Sequence, residues 1–220
     1  MTTIELLKNR RFAPYFVTQF GGAFNDSLVR RGVEMMIAFE GMSGSLSPEI
    51  AVCLLLGLFM LPFFACSAFA GFLADTQPKE ELVRVIKGAE ILIVLVGGYG
   101  LLTNSLLLGT LAVCALGVHS AFFGPVKYSL PAQHLEKDEL IAANGLIEAG
   151  TNGAILLGTI LGSALIGISS GTALIAVLAL VAAVIGLGAS FAIPAAPASS
   201  AEVRRKGTGR SKAFYSRAVK

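Results

Sequence analysis

Asp26, Arg30, Arg31 and Glu34 fall within nine residues of the segment GGAFNDSLVRRGVE, Gly21–Glu34, in a stretch otherwise apolar enough to cross a membrane. On a helix, Asp26, Arg30 and Glu34 follow one another at i, i+4 and i+8 and share a face. Arg31 points about 100° away. A charge at the centre of a bilayer costs about 3 kcal/mol on insertion scales, so four facing lipid would cost on the order of 10 kcal/mol. That face must therefore turn toward protein or a polar cavity. Asn25 lies beside it. Asp26 and Arg30 can alternatively close as an internal ion pair that neutralises both charges.

A second set has the same spacing. His119, Phe123 and Lys127 stand at i, i+4 and i+8 in a later apolar stretch. His119 reads either as a hydrogen-bonded core histidine or as a proton carrier, and Lys127 either as a cavity cation or as a side chain snorkelling to the interface. Glu148, four residues after Asn144, is either protonated or paired with a cation. Glu90, three residues after Lys87, reads as structural. No spacing suggests a Ser/His/Asp grouping, paired carboxylates, a phosphate loop or a metal-ligand cluster. Cys53, Cys66 and Cys114 sit in apolar runs with no CxxC. The expectation is a non-enzyme with no metal and no cofactor.

The elements that position these residues follow from hydropathy. Charged residues make up only 14% of the 220-residue chain, against about 25% in soluble domains, and hydrophobic residues 55%. Six spans are expected: Phe12–Phe39, Ile50–Ala74, Val85–Leu102, Leu106–Leu130, Leu140–Ile168 and Ala173–Ile193. Asp75–Arg84 is expected as a charged hairpin, and Thr103-Asn104-Ser105 and Ser169–Thr172 as short turns. The first span lacks a small-x-small cleavage site and reads as uncleaved. Gly158-x-x-x-Gly162 is a close-packing pattern that fits helix pairing inside the chain better than a dimerisation face.

Basic residues alternate between connections. Lys8, Arg10 and Arg11 precede the first span, Lys79, Arg84 and Lys87 lie at the second connection, and Lys137 at the fourth. The first, third and fifth connections hold none, which predicts both termini in the cytoplasm. The organisation expected is a cytoplasmic N-terminus over 1–11, a six-helix transmembrane bundle over 12–193, and a disordered basic tail over 194–220. That tail would sit on anionic lipid or in solvent; nucleic acid is not an expected partner.

Gly71-Phe72-Leu73-Ala74-Asp75, followed by Lys79 and Arg84, resembles the signature loop between the second and third helices of major facilitator superfamily transporters. Within that superfamily, Gly22–Asp26, Ser120–Tyr128 (SAFFGPVKY) and Glu148–Thr151 resemble the bacterial lysophospholipid transporter branch, over about residues 11–197. The resemblance implies an all-α fold equivalent to the N-terminal half of a twelve-helix transporter, built from two inverted three-helix repeats. It implies a gating loop at Gly71, Asp75, Lys79 and Arg84, with Gly71 permitting close helix approach. It also implies inward movement of lysophospholipid across the bacterial inner membrane by alternating access.

On that reading Arg30, Arg31 or Lys127 meets the phosphate, and Asp26 or Glu34 meets an ammonium. Phe24, Phe122 and Phe123 supply apolar wall. The implied partners are a second six-helix half or a homodimer, membrane lipids, and the acyltransferase that reacylates the lysolipid, to which some members are fused. Two alternatives stay open: a proton-coupled exporter of drugs or metabolites in which Asp26 or Glu148 carries the proton, and a non-transporting half.

Overall fold

A computed structural model describes residues 3–40, 47–196 and 198. Its helices in chain order are α1 (Thr3–Leu6), α2 (Ala13–Glu40), α3 (Pro48–Thr76), α4 (Lys79–Leu102), α5 (Leu106–Ser129), α6 (Pro131–His134), α7 (Lys137–Ile166) and α8 (Gly171–Ser190). No strand occurs among the described residues. Five of the six long helices, α3, α4, α5, α7 and α8, are long and apolar enough to cross a membrane. The sixth, α2, holds the charge cluster and packs at the centre of the others, touching α3, α4, α5, α7 and α8. The protein is an all-α polytopic membrane protein.

The pairing of helices has an internal regularity. α2 packs chiefly on α7 and α8, and α5 packs chiefly on α3 and α4. Exchanging α2–α3–α4 for α5–α7–α8 reproduces the chief pairs, with α2·α5 and α4·α8 mapped onto themselves, while the lesser contacts of α2 with α3 and α4 have no counterpart of the same size. This is the contact pattern of two three-helix repeats.

The expected spans correspond one to one with the long helices, with ends shifted by a few residues. The largest shift corrects the charged hairpin: Asp75–Arg84 is not a loop. α3 continues to Thr76, and only Gln77 and Pro78 separate it from α4. Pro78 forces extended backbone on Gln77 (φ −105°, ψ 153°), which ends α3. Glu80 and Glu81 in the next turn favour a helix start, so Lys79 and Arg84 lie on α4. The turn at Thr103–Ser105 forms as expected, with Asn104 in the left-handed region (φ 51°) and the Ser105 hydroxyl accepting from the Leu108 N–H.

Gly158 and Gly162 of α7 meet α2, not a free surface. A Cβ on Gly158 would lie 2.7 Å from the Phe24 carbonyl oxygen, and one on Gly162 would lie 2.9 Å from the Leu28 carbonyl oxygen. The Gly158/Gly162 seam thus serves helix packing within the chain. Two apolar cores result. One centres on Leu28, Val33, Leu116 and Ile175, and the other joins Leu6, Phe12 and Tyr15 to Val126, Ile147 and Ile193. Leu6 and Phe12 are fully buried, so the segment before α2 is tied into the bundle.

At that second core the chain's basic connections converge. Arg11 donates to the His134 carbonyl at 3.1 Å and pairs with Glu139 at 3.4 Å. The Lys79 N–H donates to the Ala196 carbonyl, and the Ala196 N–H donates to Glu80. Lys87 departs from this set. Expected as a topological charge at the second connection, it is fully buried within the bundle. Residues 41–46 of the first connection, and 197 and 199–220 of the expected basic tail, lie outside the described residues.

Candidate functional site

Between α2, α3, α4, α5 and α7 lies a cavity of about 330 Å³, within the range of small-molecule pockets. Asp26 and Arg30 of α2 line it, with His119, Phe123 and Lys127 of α5 opposite. The two sets of i, i+4 spacing in the sequence therefore face one space. α3 supplies an apolar side of Phe59, Met60 and Phe63, and α7 supplies Thr151 and Ile155.

The charged residues do not pair as expected. Asp26 does not close on Arg30. Its carboxylate accepts from the Ser120 hydroxyl, and its Oδ1 lies 3.9 Å from His119 Nδ1. Arg30 instead reaches Glu34 at 3.2 Å, and Arg31 reaches the same carboxylate at 2.9 Å. Arg31 also donates from Nε to the Ser163 hydroxyl of α7 at 2.8 Å, which holds it away from the cavity. Glu34, buried between two guanidinium groups, is a structural anion. The Arg30 guanidinium lies 5.4 Å from the centre of the Phe59 ring, so α3 covers its other face.

Deeper in the bundle Glu90, read as structural from its spacing to Lys87, gathers partners from other helices that spacing did not bring together. Lys87 Nζ sits 2.5 Å from Glu90 Oε2, with both side chains removed from solvent. Asn25 Nδ2 donates to Glu90 Oε1 at 2.7 Å, and His119 Nε2 lies 3.4 Å from Oε2. Asn25 thus points at Glu90, while Lys87 lines the cavity. A Cβ on Gly22 would lie 2.8 Å from Lys87 Nζ, so the bare backbone of α2 is what leaves room for the ammonium. The sequence signal for this group was the Lys87/Glu90 spacing of three inside an apolar helix, one turn apart. Gln19, also missed, lines the cavity and donates to the Thr151 hydroxyl.

At the cavity's other end Lys127 pairs with Glu148 at 2.9 Å, and the Tyr128 hydroxyl donates to the same carboxylate. Glu148 is half exposed, so of its two expected states the structure has the paired one. The aromatic wall divides. Phe123 faces the cavity, Phe122 stands edge-on to Phe69, and Phe24 lines a separate apolar groove on the far side of α2 with Phe16, Phe20 and Leu161.

The four residues of the expected gating loop do not meet this cavity. Asp75 is exposed near the end of α3. A Cβ on Gly71 would meet nothing within 4 Å, so the close helix approach expected there is not made within this chain. Lys79 is buried at the start of α4, and the Arg84 guanidinium stacks 5.5 Å from the Phe191 ring centre.

The cavity thus joins charged side chains of α2 and α5 to an apolar wall from α3. Lysophospholipid transporter LplT of Photorhabdus laumondii is 28% identical over 175 residues, covering 74% of this chain and 38% of its own length. Lysophospholipid transporter LplT of Yersinia pestis is 28% identical over 159 residues, covering 72% of this chain and 36% of its own length. The chain is similar to lysophospholipid transporters. It spans less than two fifths of the length of these curated relatives. No family model matches the chain. The lysophospholipid transporter resemblance carried by SAFFGPVKY thus extends over most of the chain, and within it lie Ser120, Phe123 and Lys127 of the cavity wall.

Proposed function

We propose that the bundle is half of a transporter that moves lysophospholipid inward across the bacterial inner membrane, with both termini cytoplasmic. The observation that carries this reading is the separation of Asp26 from Arg30. The two residues stand one helical turn, about 6 Å, apart on the cavity wall. Arg30 and Arg31 share the single carboxylate of Glu34, which leaves a surplus positive charge. Asp26 meets only Ser120 and His119, which leaves a surplus negative one. A phosphoethanolamine headgroup carries the complementary pair, its ammonium two carbons beyond the phosphate ester oxygen, with phosphate toward Arg30 and ammonium toward Asp26. Lys127 stands at the other end of the cavity as a further phosphate contact. The acyl chain lies along Phe59, Met60, Phe63 and Phe123.

The cavity faces between helices of one bundle, so alternating access calls for a second six-helix half, supplied by another chain or a second copy. Asp75, Lys79 and Arg84 would then contact that half at the cytoplasmic end. An acyltransferase that reacylates the lysolipid is the natural consumer of what is imported. The test is uptake of labelled lysophosphatidylethanolamine by proteoliposomes containing this 220-residue chain, with Asp26→Asn as control. Uptake that is lost in the variant supports a working path assembled from copies of the chain. If folded protein shows neither uptake nor binding, the reading is wrong.

A further inference from the structure

His119 occupies an unusual position for a buried histidine. Its Nδ1 faces Asp26 of α2 at 3.9 Å and its Nε2 faces Glu90 of α4 at 3.4 Å, while the ring stacks on Phe123. Both nitrogens are buried and neither closes a hydrogen bond. A neutral imidazole has one N–H, so it can donate to one of these carboxylates while its lone pair faces the other. An imidazolium donates to both. The site is therefore short of one proton when His119 is neutral.

The charges in contact lead to the same count. From α4, Lys87 cancels Glu90. From α2, Asp26 has no such partner. α3 adds only Phe59, Met60 and Phe63 to this wall, none of them titratable, and from α5 itself come Ser120 and Phe123, with Lys127 two turns away and bound to Glu148. The cluster of Lys87, Glu90, Asp26 and neutral His119 thus holds one negative charge that no contact cancels, the nearest surplus positive charge being that of Arg30 and Arg31 on Glu34, one turn along α2; low-dielectric surroundings penalise it. A proton on His119, a proton on Asp26 itself or a cationic group in the cavity beside Asp26 removes that penalty. All three act on the same carboxylate.

We infer that His119 is a proton-binding site whose proton and the ligand's ammonium group compete for Asp26, so that taking up an ethanolamine lysolipid expels a proton into the cavity. This rests on the function proposed above for the ammonium, while the proton site itself stands on the Asp26–His119–Glu90 geometry alone. Protonated His119 neutralises Asp26 and releases the ligand; the arriving ammonium repels the imidazolium, and its proton leaves to water. The imidazolium N–H bond breaks, its electron pair stays on the ring nitrogen and the proton passes to a water oxygen; no other bond changes. The inside of a cell and its exterior then differ in their hold on the lipid whenever they differ in pH.

The chain has two histidines, His119 and His134, so nitrogen NMR of histidine-labelled protein in nanodiscs reads the site directly. His134 lies near Ala195 at the other end and serves as the internal reference. In ligand-free protein the His119 ring should take up a proton on acidification, and Asp26→Asn should weaken that uptake. Saturating lysophosphatidylethanolamine should strip the proton at fixed pH, whereas lysophosphatidylglycerol, which lacks the ammonium, should not. Calorimetry in buffers of different ionisation heat should show about one proton released per ethanolamine lipid, and none in His119→Gln, whose amide donates without titrating. A ring that stays neutral throughout, or that titrates identically in Asp26→Asn, overturns the proton site. Equal titration with and without bound ethanolamine lipid overturns the competition. Absence of lysolipid binding removes the proposed function and the competition together, and the ligand-free titration still decides the proton site.

Discussion

Lys87 and Glu90 form an ion pair at 2.5 Å in which neither side chain reaches solvent. Sequence spacing marks Glu90 as structural, and its two donors, Asn25 and Lys87, give that role a physical basis, with His119 Nε2 3.4 Å away. It follows that Glu90 is no neutral position. Removing one partner of a buried pair strands the other and costs about 3–5 kcal/mol.

Glu90→Gln is therefore expected to destabilise the bundle by about 3 kcal/mol, and Lys87→Met by a similar amount. The double variant Lys87→Met/Glu90→Gln should recover much of the loss, because no unpaired charge remains. Denaturation in detergent micelles measures all three. Additive losses in the double variant would show that the two groups are not stabilised by each other.

The approach of α7 to α2 gives a prediction of opposite kind, independent of charge. A side chain at Gly158 meets backbone of α2 at 2.7 Å, and backbone cannot rotate aside as a side chain can. Gly158→Val should cost on the order of 2 kcal/mol through overpacking. Gly153→Val, where a Cβ would meet nothing within 4 Å, should cost little beyond helix propensity. Equal effects on the melting temperature would contradict the assigned seam.

Lys127 and Glu148 are paired across α5 and α7, but Glu148 is half exposed. Pairs of that exposure contribute less than about 1 kcal/mol. Glu148→Gln should thus leave the unfolding midpoint nearly unchanged while freeing Lys127 for an anionic headgroup. A gain in affinity for lysophosphatidylglycerol, read by equilibrium binding, is the expected sign; a loss would mean that Glu148 itself contacts the lipid or positions Lys127.

Much of this was legible from the chain alone, and the parts that were not have a common cause. Six helices follow from apolar runs, and the two inward faces follow from i, i+4, i+8 spacing, because both depend on local sequence. Partner choice depends on the register between helices. Asp26 and Arg30 look paired along α2, yet α5 brings Ser120 and His119 to the first, and Glu34 takes the second. Ser163, 132 residues from Arg31, could not be inferred as its partner. Lys87 misled for a related reason: hydropathy does not tell a cation at a helix end from one turned inward. The Asp75–Arg84 hairpin misled because its charges read as loop, while Pro78 and the acidic turn after it start a helix.

The central claim is that Asp26 and Arg30 form the two poles of a zwitterion site. The most direct test is equilibrium binding of labelled lysophosphatidylethanolamine to the chain in nanodiscs, comparing the unaltered protein with Asp26→Asn and Arg30→Gln. The account predicts binding that weakens about tenfold or more in each variant, since a charged ligand group then loses its partner in a site shielded from water. For lysophosphatidylglycerol, Arg30→Gln should weaken binding and Asp26→Asn should not. Equal affinity for both lipids in all three folded proteins would contradict it.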